Sequence, residues 1–355
     1  MHLEVTPRVS AVGRALPETY LDQEALIAAL RGLWASRHHN VDRLEDLHRA
    51  VQVSGRHLAL PLERYAGLDS FARCNDAWID AAQELGEAAV RDALARAGAS
   101  PLDVDHLFFV TVTGVATPSI DARLVNRIGL KPALKRTPIF GLGCVAGAAG
   151  IARAADYLRA YPREVAVLLS VELCSLTLQR EDLSVANVIA SGLFGDGAAA
   201  VVLSGADRPA RGPRVLASRS VFYRDTERVM GWDLVDSGFK VVLSARVPEI
   251  VREHVGADVD AFLADHGLSR DRVAHWIAHT GGPKVLEAFE DALALPPGAL
   301  DRSWRSLRDV GNLSSASVLY VLADLLEATE ARPGDVGLLV AMGPGFCSEM
   351  VLLAW

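Results

Sequence analysis

The chain has 355 residues, a formal net charge of -8, a half-hydrophobic composition and only 6% aromatic residues. That length exceeds a usual single core, so two closely joined domains or one large layered domain are expected. The acidic balance argues against a nucleic-acid backbone as partner, and no apolar run approaches the length that crosses a bilayer.

The N-terminal residues MHLEVTPRVSAVGRALPETY lack a basic segment followed by an apolar core, which predicts a cytoplasmic protein with no stable membrane insertion. Cys74, Cys144, Cys174 and Cys347 are far apart and show no CxxC pairing. Neither a disulfide framework nor a zinc site is suggested.

In chain order, residues 4–14 read as a strand and residues 22–34 as a helix. The stretch Arg37 to Arg56 is rich in His, Arg and Asp. A solvated helix face explains it; the alternative is that Arg49 and Arg56 meet an anionic ligand, since guanidinium geometry suits phosphate. A long helix is predicted over Ala77 to Ala97, stopped by Gly98. His106 to Thr113 reads as a buried strand, Ser119 to Ile128 as a helix, and 136–141 as a second strand, apolar and buried from Thr137 to Phe140.

That strand runs into GLGCVAGAAG, Gly141 to Gly150. Ala146, Ala149, Ala152, Ala155 and Leu158 recur at helical spacing, so a slim helix should start at or just after Cys144. The thiol would then sit at a helix N-terminus, where unpaired backbone N–H groups lower a cysteine pKa, and thiolate is the nucleophile. Two bland readings compete: a buried structural cysteine, and a dinucleotide fingerprint, because Gly141, Gly143 and Ala146 satisfy GxGxxG/A spacing and Glu172 ends the next strand.

Glu164 to Cys174 is a near-continuous apolar run, as expected of a strand covered on both faces. Alternating strands and helices imply parallel crossovers. Ser191 to Ser204 reads as a glycine turn feeding a strand, and Gly337 to Trp355 repeats that pattern, a faint internal repeat with a boundary near 205–213. Between them come a strand at 214–224, turn residues and β alternation in Gly231 to Ser244, and a helix from Pro248 to about His266. A strand at 273–278 then runs into His279 and the helix Lys284 to Ala294.

His279 sits at the same kind of strand-to-helix junction as Cys144. A structural histidine is the ordinary alternative; a metal pair with His275 fails because residues four apart on a strand lie roughly 13 Å apart. Asn312, in GNLSSAS, reads either as a helix cap or as a fixed N–H donor for an oxyanion. Nucleophile, imidazole and amide at three similar loops make a stronger case together than singly.

GLGCVAGAAG, LFGDGAAA, HTGGPKVL, GNLSSAS and the closing GPGF together resemble the type III polyketide synthases, the chalcone-synthase-like branch of the thiolase superfamily. The resemblance implies an α/β fold of five layers, αβαβα, with two similar halves, 1–208 carrying the cysteine and 209–355 the histidine and asparagine. It implies a homodimer, coenzyme A thioesters (an acyl-CoA starter and malonyl-CoA) as substrates, and no metal or redox cofactor. Cys144 would hold the acyl group, His279 act as its base and oxyanion partner, and Asn312 as second oxyanion donor.

The same resemblance nominates Phe194 as an aromatic gate and Val241 at a second gate, with Phe239 near enough to confuse the register. Trp232, Cys174, Leu176, Thr177, Thr117, Ser314 and Phe346 fall on cavity or substrate positions, and Arg49 and Arg56 approximate the CoA phosphate ligands. GWDLVDSG is similar to bacterial alkylpyrone and alkylresorcinol synthases, implying a fatty acyl starter. Enzymes that build tetrahydroxynaphthalene from malonyl-CoA alone carry an extra cavity cysteine where this chain has Val112. The remaining alternatives are a ketoacyl-carrier-protein synthase III that condenses once, a nucleotide-binding oxidoreductase, and a non-catalytic acyl-binding scaffold.

Overall fold

A computed structural model describes residues 6–34 and 41–355; of the expected features, residues 4 and 5 of the first strand and Arg37 lie outside the described residues. The first half runs β1 (Arg8–Ala15), β2 (Thr19–Asp22), α1 (Gln23–Trp34), α2 (Val41–Ala50), β3 (Gly55–Leu58), α3 (Leu62–Tyr65), α4 (Phe71–Ala97), β4 (His106–Thr111), α5 (Ile120–Ile128), β5 (Lys135–Phe140), α6 (Ala146–Ala160), β6 (Val165–Leu173), α7 (Val185–Leu193) and β7 (Asp196–Ser204). The second runs β8 (Arg214–Phe222), β9 (Met230–Val235), β10 (Gly238–Leu243), α8 (Val247–Ala264), β11 (Val273–Ala278), α9 (Pro283–Leu293), α10 (Asp301–Val310), α11 (Ser317–Ala328), β12 (Val336–Gly343) and β13 (Cys347–Ala354).

Strand order across the large sheet is β11-β12-β13-β8-β1-β7-β6-β4-β5. The junction between β8 and β1 is a single residue pair, Arg8 with Arg214, so this is two sheets touching at one corner. Each repeats one pattern: β4 and β6 are parallel as β11 and β12 are, β6–β7 antiparallel as β12–β13, and β7–β1 antiparallel as β13–β8. The faint repeat in sequence is therefore a duplicated topology. The expected parallel crossovers are β4–β6 and β11–β12, whereas β12 and β13 are joined by the short Pro344 to Phe346 turn, which returns the chain antiparallel.

Three of the apolar cores among the described residues define the layers. One gathers Ala148, Ile151 and Ala155 of α6 with Val318, Leu319 and Leu322 of α11 between strand residues of both sheets, such as Leu168 and Leu339. A second places α4 and α5 outside the first sheet, and a third places α8 and α9 outside the second. The order is αβαβα, a thiolase-type fold. The alanines of α6 are what let two sheets close over it: a Cβ on Gly147 would lie 2.2 Å from the backbone oxygen of Ser315, so the helix approaches the start of α11 with no room for a methyl group.

Several elements differ from expectation. β5 is an edge strand with alternating exposure, and Phe140 is 54% exposed rather than buried, because only β4 pairs with it. α4 begins at Phe71, capped by Ser70, six residues before the predicted start. α10 and α7 were not legible, and the GWDLVDSGFKVVLS stretch is a hairpin in register Trp232 to Val241. Among the described residues no helix is long and apolar enough to cross a membrane.

Candidate active site

Cys144 stands in a tight turn, Gly143–Val145, directly ahead of α6. Asn312 and Ser314 stand at the corresponding turn ahead of α11, so the duplicated topology brings both helix starts together in the central layer. The thiol donates to Ser314 Oγ at 3.6 Å. Asn312 Oδ1 accepts from the Ser314 N–H at 2.8 Å and from Ser317 Oγ at 3.3 Å. With its oxygen so occupied, the amide offers its NH2 to the sulfur, and with Ser314 it favours the thiolate.

His279 follows β11, its backbone N–H donating to Val340 O of the parallel β12 at 2.9 Å. β12 ends against the cysteine turn, where a Cβ on Gly343 would lie 2.7 Å from Val145 N. The imidazole thus enters from the strand beside the one that buttresses Cys144. It is buried, and neither ring nitrogen has a hydrogen-bond partner among the described residues. No hydrogen bond joins it to Cys144.

Electrostatics reverse one expectation. Burial pushes the Cys144 thiol up to about 12; the hydrogen bond with Ser314 lowers it and the Glu172 charge raises it. The helix start does not acidify a sulfur this deeply desolvated. Burial likewise pushes His279 down to about 4. The resting pair is a neutral thiol and a neutral imidazole.

Glu172, considered in the sequence only as a ribose ligand, lies in the wall behind this site. Its Oε2 accepts from Val112 N at 3.1 Å and Thr113 Oγ1 at 3.0 Å; its Oε1 accepts from Ser315 Oγ, which also meets Ser170 Oγ at 2.8 Å. Burial pushes its pKa up to about 7, against hydrogen bonds that lower it. The signal was available: a lone glutamate inside an apolar strand is buried unless the strand is misread.

A cavity of about 560 Å³ adjoins the site through Phe194. Phe194 bridges to Asn312, with Asn312 N–H donating to Leu193 O at 2.9 Å and Gly195 N–H to Asn312 O at 3.0 Å. Of the nominated residues, Phe194, Val241, Trp232, Cys174 and Thr177 line it. Val241 lies opposite Trp232 in the hairpin and lines the cavity, whereas Phe239 packs edge-on against Phe71.

Four nominated residues do not line it. Leu176 is in the outer core, because in a 3-10 turn Cys174 and Thr177 share one side and Leu176 another. Thr117 is exposed on the loop after β4. Ser314 is at the cysteine instead. Phe346 is fully buried in the second-half core beside Tyr223.

The phosphate ligands need correction. Arg56 reaches the cavity wall, but it is 1% exposed and its guanidinium donates to Gln23 Oε1, Ser191 O and Phe194 O. It holds the fold around the gate. Arg49 is exposed but already paired with Glu24 and Glu45. Sequence reasoning missed the helix α1 wall, Leu26, Leu30 and Leu33, and also Tyr65 and Arg180.

Comparison with known proteins fits this arrangement. The family profile for chalcone and stilbene synthases matches its N-terminal domain to residues 4–208 and its C-terminal domain to 215–354. A 1,3,6,8-tetrahydroxynaphthalene synthase of Streptomyces peucetius subsp. caesius is 53% identical over 98% of this chain and 93% of its own. A putative chalcone synthase of Bacillus subtilis is 38% identical over 98% of each chain. The crystal structure of 1,3,6,8-tetrahydroxynaphthalene synthase from Streptomyces coelicolor A3(2), a bacterial type III polyketide synthase, superposes with a TM-score of 0.93 at 30% identity, covering 98% of this chain and 99% of that one. With paired helix starts meeting in the middle layer and full-length likeness to these enzymes, the chain belongs to the chalcone and stilbene synthase family and is a type III polyketide synthase.

Proposed function

We propose that Cys144, His279 and Asn312 carry out the condensation together. His279 takes the thiol proton as the Cys144 sulfur attacks the carbonyl of a starter acyl-CoA, and coenzyme A leaves with a proton. Malonyl-CoA then loses carbon dioxide, and the electrons left behind form an enolate whose oxygen is held by the imidazole and the Asn312 amide. The enolate carbon bonds to the acyl carbon and expels the Cys144 thiolate, which lengthens the chain by two carbons on coenzyme A. Reloading and repetition precede cyclisation. The scheme calls for no metal or redox cofactor.

The observation that carries this reading is the meeting of Cys144 and the Asn312 to Ser317 turn, together with a buried imidazole, its two nitrogens unpartnered among the described residues, that follows the strand paired with the one ending against the cysteine turn. A neutral thiol and a neutral base suit it, because the proton then passes to the imidazole as the sulfur attacks the carbonyl. Phe194, bonded through its neighbours to the Asn312 backbone, separates this chemistry from the cavity.

The cavity wall supports an alkyl starter. Leu26, Leu30, Leu33, Leu62 and Leu178 line it, which suits a fatty acyl chain and an alkyl-α-pyrone or alkylresorcinol product. The 53% identical relative favours a second product, 1,3,6,8-tetrahydroxynaphthalene, built from malonyl-CoA alone. Product mass spectrometry with malonyl-CoA alone and with short, aromatic and long-chain acyl-CoA starters separates them. Alkyl products that grow with starter length support the first; a naphthalene with no starter incorporation replaces it. Condensation that survives Cys144→Ala would end the shared mechanism.

A homodimer belongs to the same reading. The edge strand β5 with its exposed Phe140, beside the exposed Val115 of the neighbouring loop, supports assembly there, and sedimentation of wild type against Phe140→Asp tests it.

A further inference from the structure

We propose that Ser175, held in place by Asp196 and Tyr65, is the acceptor that recognises enol oxygens of the growing polyketide in the cavity, an inference that deepens the condensing reading above and rests on it. Asp196 opens β7 two residues after Phe194 and is fully buried, yet the condensation gives it no task. A buried carboxylate is costly unless its oxygens are filled. Its Oδ1 accepts from Ser175 N–H at 2.8 Å, and its Oδ2 accepts from Ala59 N–H at 2.6 Å and from Ser175 Oγ. Because the Ser175 proton goes to the carboxylate, the Tyr65 hydroxyl, 2.5 Å away, is the donor to Ser175 Oγ.

A hydroxyl has one proton to give and two lone pairs to receive. In Ser175 the proton and one lone pair are fixed, and the second lone pair is left for a donor in the cavity that this residue lines. Thr177 and Ser191, which also line it, give their protons to backbone carbonyls, Cys174 O at 2.7 Å and Val188 O at 2.8 Å. Among the described cavity hydroxyls only Ser175 is backed by a carboxylate, which strengthens it as an acceptor. An alkyl starter offers such a group nothing. A chain extended by malonyl units carries β-carbonyl groups whose enol forms present O–H donors, so Ser175 reads the extension and not the starter.

The acceptor has a pH limit. Burial pushes the Asp196 carboxyl up to about 6, against the hydrogen bonds from Ser175 and Ala59 and the Arg56 charge. The ionisable groups around it are Arg56 on β3, Tyr65 on α3, Cys174 on the adjoining turn, and Glu172 on β6, which pairs with Gly197 and turns its carboxyl to Ser315. Once protonated, Asp196 donates to Ser175 Oγ instead of accepting from it. The Ser175 proton then swings to the cavity and the acceptor is gone.

Acylation of Cys144 in the full-length protein, followed by intact mass, tests this with coenzyme A esters in pairs of equal length: butyryl with acetoacetyl, and hexanoyl with 3,5-dioxohexanoyl. The readout is the ratio of kcat/KM for the oxo ester to that for its alkyl partner, in which effects common to both, including titration of Glu172, cancel. Ser175→Ala keeps the backbone N–H bond to Asp196, and Ser175→Thr keeps the hydroxyl. In Ser175→Ala the ratio falls about tenfold for the dioxo pair, the scale of one lost charge-assisted hydrogen bond, and Ser175→Thr returns most of it. In wild type the ratio also falls as pH drops through about 6, and in Ser175→Ala it is flat. A ratio unchanged in Ser175→Ala for both pairs, a threonine as poor as the alanine, or a wild-type ratio indifferent to pH overturns the proposal while Cys144 is still acylated. No acylation of Cys144 by any of the four esters overturns the condensing reading, and this inference with it.

Discussion

The Cys144 sulfur donates to Ser314 Oγ at 3.6 Å and makes no hydrogen bond to His279, whose two ring nitrogens are buried and unpartnered among the described residues. A thiol pushed up to about 12, with the imidazole pushed down to about 4, does not ionise by itself at neutral pH. Alkylation of Cys144 by iodoacetamide in the ligand-free protein should therefore rise with pH throughout the neutral range and reach no plateau below about pH 10. Mass-resolved rates of modification at Cys144 provide the check. A plateau near pH 6 to 7 would mean a preformed thiolate–imidazolium pair and would contradict the resting state described above.

Glu172 gives a stability prediction of definite sign. Its folded pKa, about 7, lies above the ordinary carboxyl value of 4.5, so the native state binds more protons than the unfolded chain between those limits. The stability it contributes is complete below pH 4.5 and is lost as pH rises through 7. The loss is at most roughly 3 kcal/mol, at 1.36 kcal/mol per unit. Urea unfolding of wild type and Glu172→Gln from pH 4.5 to 8 isolates the effect: the difference between them should shift in favour of the amide as pH rises. Parallel pH profiles would show that the carboxyl is not held as Ser315, Thr113 and Val112 imply.

The comparison of sequence and fold turns on how each residue is placed. Cys144 and Asn312 were legible because each sits in a run of small residues whose only reasonable purpose is close backbone approach, and the structure puts those runs at equivalent helix starts. The apolar run of β6 and the α6 spacing were equally plain. Phe140 was misread because a hydrophobic triplet looks the same in a central strand and at an edge; only pairing partners distinguish them. Arg56 was misread because charge suggests a surface, while the three carbonyl-type acceptors that bury it come from residues 23, 191 and 194. The α1 wall was missed for the same reason: its leucines read as ordinary core residues, and their turn toward a cavity depends on α3 and α7, far away in sequence.

Gly147 tests the closeness of the central helices. An added methyl group would meet Ser315 O at 2.2 Å and Val318 Cγ1 at 2.9 Å, and the first of these is backbone that cannot rotate away. Gly147→Ala should destabilise by about 2–3 kcal/mol despite the better helix propensity of alanine. It should also lower activity, since the displaced residue is next to Ser314. Gly32→Ala in α1 is the control: its Cβ meets nothing within 4 Å, so it should melt at or above the wild-type temperature. Equal melting of Gly147→Ala and wild type would show that α6 and the α11 start do not meet as described.

Val241 sets the width of the cavity at the hairpin. It pairs with Trp232 across β9 and β10, and both line the cavity, with Phe239 two residues away packed against Phe71 and Phe140. A phenylalanine at 241 would project from the same strand face into the cavity and remove volume opposite Phe194 without touching the Cys144 turn. Val241→Phe should therefore leave the rate with a short starter within about threefold while lowering kcat/KM for a long-chain starter tenfold or more, a difference of about 1.4 kcal/mol or greater in transition-state binding. Competition between octanoyl-CoA and acetyl-CoA, read as the ratio of products by mass spectrometry, measures this directly. An unchanged ratio would mean the acyl chain runs elsewhere than past the Trp232 and Val241 pair, and the alkyl-starter reading would lose its structural support.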